Sequence, residues 1–271
     1  MAARALVTFT LGITGSLMTV QSLFKYGRLN EYSEAVISTP TVWFSPPAQL
    51  NDPFECRPWF TFDGSRDEIV ESIARGLQQH RPELTPENVK AHAVSIYLEG
   101  RHRDPSTWDG LRRDVVATLG QKIGLYCLSE HNDSILMWSH YAADHSGYCL
   151  EFEATDHTPF FGTAQQVKYG TEFPVVDFFT TPKEEQVDLV FLTKFQGWSY
   201  EGEWRIVDHE TGPGTREYPR ELLRSVIFGL RMPEATRETI RAWVKRRGHA
   251  VKFFEARRHD QQFKIVVKEI D

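Results

Sequence analysis

Trp198-Ser199-Tyr200-Glu201-Gly202-Glu203-Trp204-Arg205 is the stretch on which the reading of the chain turns. Taken as a strand running on to Val207, it sends Trp198, Tyr200, Gly202, Trp204 and Ile206 to one face. Ser199, Glu201, Glu203 and Arg205 go to the other. Next-but-one side chains on a strand stand roughly 7 Å apart, so two carboxylates and a guanidinium line up behind a wall of aromatics. Such a pair can orient a nucleophile and stabilise a sugar cation. It can equally be the solvated face of a half-buried strand, with Glu203 and Arg205 paired to a neighbour.

Outward from this segment, the pattern alternates between short strands and a few helices. Glu184 to Phe195 reads as a helix that carries Lys194 up to the aromatic run. Downstream, Ser225 to Leu230, Val251 to Glu255 and Phe263 to Glu269 read as strands. Pro233 to Arg247 is a helix, with proline at its start, basic residues in its last turn and Gly248 to stop it. Upstream, Leu23 to Tyr26, Thr41 to Ser45, Ile123 to Ser129, Tyr148 to Glu153 and Gln165 to Tyr169 are strand-like, and Asp133 to His145 is helical. Helices gather between them. Ser65-x-x-Glu68 is a capping box before Ile69, Val70, Ile73 and Leu77, and Thr85-Pro86 opens a second helix. Ser106 caps a third, with Leu111, Val115 and Leu119 inward and Gly120 at its end. Strands outnumber strand–helix–strand alternations. The expected fold is therefore α+β: a mixed, mostly antiparallel sheet, in one domain over residues 23–271, with a helical insertion over about 65–120.

Residues 1–22 form an N-terminal extension that carries one charge, Arg4, and a mildly apolar run from Ala5 to Val20. The run is short for a bilayer span, and no small-x-small cleavage site follows it. It reads either as a true appendage or as translation upstream of a start at Met18. Three cysteines (Cys56, Cys127, Cys149) without CxxC spacing fit a reducing, cytoplasmic setting and neither a disulfide framework nor a zinc site. The net charge of −6 argues against general polyanion binding. Lys245-Arg246-Arg247 and Arg257-Arg258 read as helix-end charges and a solvated strand. No phosphate-binding GxxxxGK[ST] loop, GxGxxG turn or GxSxG elbow is present, and His140 and His145 stand five apart, so no metal is expected.

Three further clusters have both a chemical and a structural reading. On a helix, Trp138, Tyr141 and His145 share a face, suited to stacking on a nicotinamide or base, or simply to packing. Asn51-Asp52-Pro53-Phe54-Glu55 is a rigid turn in which Asn51 or Asp52 meets a ribose, or an Asx side chain bonds its own backbone. Lys25, Tyr26 and Arg28 at the end of the first strand can hold a pyrophosphate, or are strand-end charges; Lys194 invites the same two readings.

Taken together, Lys25-Tyr26, Phe44-Ser45-Pro46 leading to Asn51-Asp52-Pro53-Phe54-Glu55, Leu128-Ser129-Glu130, Met137-Trp138-Ser139-His140-Tyr141, His145-x-Gly147 and Lys194 with Trp198-x-Tyr200-Glu201-x-Glu203-Trp204-Arg205 resemble the bacterial domain-of-unknown-function family 2971. The order of the segments is similar to a second group as well. A polar first strand, a second strand ending in Ser and a late Glu-x-Glu resemble the layout of ADP-ribosyltransferases. That resemblance implies a split sheet and NAD as substrate. Glu203 would stabilise the oxocarbenium-like state and Glu201 would serve the acceptor side. Ser45 would support Glu203, Lys25 or Arg28 would meet the pyrophosphate, and Trp138 or Tyr141 would stack on the base. It further implies cleavage of the nicotinamide N-glycosidic bond, in the setting of a toxin or phage-defence effector. Its partners would be a protein or nucleic-acid acceptor and a cognate inhibitor protein, with no membrane. Two alternatives stand beside it: a metal-dependent hydrolase or nuclease using Asp52, Glu55 and His140, and a non-enzymatic binding module of a defence system.

Overall fold

The computed structural model describes residues 20–100, 117 and 119–270. In chain order, β1 (Ser22–Gly27) leads to a short helix α1 (Ser33–Ser38), β2 (Thr41–Phe44) and β3 (Trp59–Thr61). Helices α2 (Arg66–His80) and α3 (Pro86–Leu98) follow. The Ser65–Glu68 capping box and the Thr85 N-cap form as the sequence predicts. The third insertion helix, read from Ser106, lies outside the described residues apart from its last turn. Then come β4 (Gly124–Ser129), α4 (Ile135–Tyr141), β5 (Tyr148–Glu153), β6 (Gln165–Gln166), β7 (Lys168–Gly170) and β8 (Val175–Asp177). Helix α5 (Lys183–Phe191) precedes β9 (Thr193–Phe195) and β10 (Glu203–Asp208). The chain finishes with β11 (Gly214–Glu217), β12 (Leu223–Phe228), α6 (Glu234–Lys245), β13 (Lys252–Arg258) and β14 (Ile265–Ile270).

Eight strands form one sheet in the order β14-β13-β12-β5-β1-β4-β10-β6. Every pairing is antiparallel except β12 with β13, which are joined by α6 as a crossover. This is the expected α+β class. Central strands are covered on both faces: β4, β5 and β12 are buried along most of their length, while β13 and β14 toward the sheet edge are mostly half-buried or exposed. Three two-stranded ribbons (β2–β11, β3–β8, β7–β9) flank the sheet.

The sheet is complete except at one seam. β1 is paired with β5 along its whole length, but with β4 only at Phe24–Ser129. Beyond that point the two strands fork. The freed edge of β4 is satisfied from elsewhere: Leu125 exchanges both backbone bonds with Ser45, and the Lys25 Nζ donates to the Cys127 carbonyl at 2.8 Å. Buried backbone groups must find partners, so Ser45 and the Lys25 side chain hold the fork open as a pocket.

Several expected elements break where the backbone must turn. Trp198–Val207 is not one strand. Residues Gln196–Glu201 form a 3-10 turn, Gly202 is left-handed (φ 49°), and β10 begins at Glu203. Only glycine takes that corner freely. Gln165 to Tyr169 divides into β6 and β7, which join different sheets. The helix read over Glu184 to Phe195 gives way after Phe191 to β9, which pairs with β7. The basic end of α6 also differs. Arg247 is buried and donates to Ile37 O, Thr39 O, Tyr218 OH and Arg220 O, so it ties three segments together rather than facing water.

After α4 the chain makes a left-handed run at Ala143, Asp144 and His145 and reaches Gly147, wedged among strand ends. A Cβ on Gly147 would stand 2.2 Å from the Gly27 carbonyl oxygen, and one on Gly229 2.3 Å from that of His145. The His145-x-Gly147 pattern therefore serves close backbone approach. Gly147→Ala is expected to cost about 1–3 kcal/mol or more through overpacking. A urea-denaturation midpoint equal to the wild type would refute this.

Candidate functional site

Tertiary structure brings the two glutamates together by a route other than strand alternation. The 3-10 turn presents Glu201, the corner at Gly202 reverses the path, and β10 presents Glu203. Between them sits Lys194, from β9. Its ammonium donates to Glu201 Oε2 at 2.5 Å and Glu203 Oε2 at 2.9 Å, and lies 3.1 Å from Glu55 Oε1. Arg205 closes the other side. It donates from Nε to Glu203 Oε1 (2.7 Å), from Nη2 to Glu203 Oε2 (2.9 Å) and to Glu55, and from Nη1 to the Phe191 carbonyl (2.8 Å). Arg205 is fully buried and Lys194 5 % exposed. Three carboxylates thus face two cations inside the protein.

The glutamates differ in environment. Burial opposes ionisation of Glu203, but the Arg205 guanidinium and then the Lys194 ammonium outweigh it, holding its carboxyl well below the usual carboxylate range. Burial pushes Glu201 the other way, with the Glu203 charge adding to the rise and only part of it offset by Lys194 and Tyr141. Burial disfavours the Lys194 charge as well, yet Glu203, Glu55 and Glu201 keep it protonated. Burial and Glu201 keep the Tyr141 hydroxyl protonated, and it donates to Glu201 Oε1 at 2.6 Å. Asn51 Nδ2 donates in turn to that hydroxyl at 3.0 Å.

Supports outside the charged group fix the backbone. Ser129 Oγ donates to the Glu201 carbonyl at 2.5 Å and accepts from the His131 N–H. The Glu203 N–H donates to Tyr169 OH at 2.8 Å. Neither Ser129 nor Tyr169 was among the candidate residues of the sequence. The Leu128-Ser129-Glu130 segment was the available signal for the first; nothing in the sequence pointed to the second.

A cavity of about 260 Å³ in the fork between β1 and β4 opens onto this cluster. Lys25, Tyr26, Ser45, Asn51, Tyr141, Lys194, Glu201, Glu203 and Arg205, all candidates from the sequence, line it, together with Glu55 and Trp43. Ser45 faces the cavity but is not a partner of Glu203; its backbone is committed to Leu125. Four candidates lie elsewhere. Arg28 is exposed beyond β1. Trp138 is fully buried, edge-on to Tyr26 at 5.2 Å, and its Nε1 donates to the Asn132 carbonyl. His145 lies past the end of α4, with Nε2 3.0 Å from Ser139 Oγ, so it shares no helix face with Tyr141. Asp52 accepts from Phe54 N–H and, at 2.7 Å, from Trp198 Nε1, lining a second cavity. The trio Asp52, Glu55 and His140 is not assembled either: Glu55 serves Arg205 and Lys194, and His140 packs on Tyr200. Cys127, in the cavity wall, is pushed up to about 12 by burial and the Glu203 charge, so it is a neutral thiol.

Residues 137–206 match the model of a family described as a protein of unknown function (DUF2971). The matched segment begins in α4 and ends in β10, so Tyr141, Lys194, Glu201, Glu203 and Arg205 all lie within it, and the resemblance to that family stands over this part of the chain. No curated protein and no solved structure matches. No helix among the described residues is long and apolar enough to cross a membrane.

Removing one member of a buried ion cluster strands the others. Arg205→Met is expected to lower stability by about 3–5 kcal/mol, and Arg205→Lys to restore little of it, because an ammonium cannot reproduce the four bonds of the guanidinium. The contribution of Glu203, whose folded pKa is depressed, is fully present above its unfolded value of about 4.3 and is lost as pH falls below it. Glu201 carries the opposite sign: ionising it costs stability as pH rises past about 4.3. Urea midpoints measured from pH 6 down to 3 should fall more steeply in the wild type than in Glu203→Gln; parallel curves would contradict the arrangement.

Proposed function

We propose that the fork pocket cleaves the nicotinamide N-glycosidic bond of NAD in the manner of an ADP-ribosyltransferase, passing the ADP-ribosyl group to water or to a protein or nucleic-acid acceptor. The observation that carries this reading is a pair of buried carboxylates on the wall of one cavity with unequal partners, Glu203 held by Arg205 and Lys194 and Glu201 by Lys194 and Tyr141, the usual mark of divided acid–base roles. Glu203, ionised throughout, supplies a fixed negative charge beside a sugar carbon that turns positive. Glu201, with its raised pKa and its link to Tyr141, takes a proton. In the step, the C–N bond to the pyridinium breaks and its electron pair leaves with neutral nicotinamide. The acceptor oxygen bonds to the same sugar carbon, and its proton passes to Glu201.

Other residues have parts to play. Lys25 spends one donor on the Cys127 carbonyl, which leaves others for a pyrophosphate. Asn51 and Tyr141 offer bonds to ribose hydroxyls. A cavity of about 260 Å³ suits the nicotinamide riboside half rather than a whole dinucleotide. A cytoplasmic toxin or phage-defence effector, with a cognate inhibitor, is the setting in which such NAD consumption makes sense.

Glu201→Gln carries the test, because Glu203→Gln would also deprive Arg205 of its partner. Nicotinamide released from NAD by purified protein, with and without cell extract, is measured by chromatography. The variant should lose about 10²- to 10⁴-fold in kcat while still unfolding in one cooperative transition, checked by circular dichroism. Equal turnover in variant and wild type, or none in either, overturns the proposal.

A further inference from the structure

A second and larger cavity, of about 530 Å³, lies on the other side of the charged cluster. It shares Glu55 and Lys194 with the fork pocket as a common wall. Its own lining is different in kind: Phe54, Phe173 and Phe195 with Val190 and Pro174, and a polar edge that includes Arg57, Thr171 and Glu172. The three phenylalanines are 65 %, 49 % and 55 % exposed. Large apolar rings left open to water around a concavity indicate something that covers them.

The rings are pre-set rather than loose. The Phe54 N–H donates to Asp52 Oδ1 at 2.8 Å, and Asp52 is itself held by Trp198, so an Asx turn fixes the position from which Phe54 projects. Phe173 stacks on Phe54 with centroids 6.4 Å apart and planes inclined by 27°. Phe195 leans over Gly197, where an added Cβ would come within 2.6 Å of its ring. Cys56, in the same wall, has φ +56°, a left-handed backbone in a non-glycine residue of the kind that collects at binding sites. The volume falls within the roughly 300–1,000 Å³ of small-molecule sites. Charges of both signs on its boundary (Asp52, Glu55 and Glu172 against Arg57 and Lys194) cancel enough that an anion gains little there.

We infer that this cavity binds a flat, uncharged heteroaromatic ring, stacked on Phe54, Phe173 and Phe195 and hydrogen-bonded at the Arg57–Thr171–Glu172 edge: a purine of a nucleoside or nucleotide. The cavity assignment stands on its own lining. Only the choice of adenine, as the far half of a molecule whose nicotinamide riboside occupies the fork pocket across the shared wall, rests on the NAD reading.

Adenosine is the probe, titrated onto the full chain and followed by calorimetry or ligand-observed NMR. Saturable binding is expected in the wild type. It should weaken at least tenfold in Phe173→Ala/Phe195→Ala, whose truncated rings are half-exposed and whose fold is checked by Tm and circular dichroism, and Phe195→Tyr should retain it. If NAD is turned over, the double variant should raise KM with little change in kcat. Adenosine binding that depends on the phenylalanines, without any NAD turnover, upholds this site while overturning the catalytic proposal. NAD turnover with KM unmoved in the double variant overturns the site alone. Absence of saturable adenosine binding to folded wild type, including the case in which the rings instead receive an apolar side chain of a protein partner, also overturns it.

Discussion

An ammonium buried among three carboxylates is the constraint around which the molecule is organised. Lys194 has its charge in the protein interior, where a lone cation would cost several kcal/mol, and it is tolerated because Glu55, Glu201 and Glu203 converge on it. Those residues come from a turn after β2, from the 3-10 turn and from β10. Arg205 then satisfies the carboxylate oxygens that Lys194 does not reach. Such a network is favourable only when complete, since each member left unpaired pays its desolvation in full. The turn that carries Glu55 is therefore locked onto the distant 194–205 segment by electrostatics rather than by apolar packing.

The pocket exists because the sheet is interrupted beside this cluster. Had β1 and β4 paired along their length, Lys25 would have had no carbonyl to reach and Ser45 no strand edge to bridge. Because the ladder stops at Phe24–Ser129, the polar edge of β4 is met by a side chain and by an incoming loop, and the space between becomes a walled cavity. Apolar clusters on both faces of the sheet keep its remaining strands in register, so the interruption is local.

Much of this was legible from periodicity and end signals. The capping box at Ser65, the Thr85-Pro86 start and the apolar runs of β4, β5 and β12 are local statements, and local chemistry decides them. Lys25, Asn51, Tyr141, Lys194, Glu201, Glu203 and Arg205 were legible as candidates through the ordered motifs of the two resemblances rather than through their local pattern, and they line one cavity. What could not be read were consequences of tertiary choice. Trp138 and His145 fit one helical face on paper, but α4 stops at Tyr141 when the chain turns left-handed to reach Gly147. Arg247 looks like any helix-end cation until Ile37, Thr39 and Tyr218 fold over it. Glu55 sits in a turn whose polar groups can serve one another, and only the long-range contact with Arg205 gives its place.

The corner at position 202 sets how the two acids meet. Its backbone is left-handed, so glycine is demanded there by conformation, and an added Cβ would also have to push aside the side chains of His131 and Glu130. On a straight ribbon, acids at alternate positions point the same way but stay a fixed stride apart. Bending the ribbon at its midpoint swings them toward a shared focus, like two fingers of a closing hand. The acid–glycine–acid triplet is thus a single mechanical unit: grafted into another scaffold without its vertex, the same two side chains would be neighbours in sequence and strangers in space.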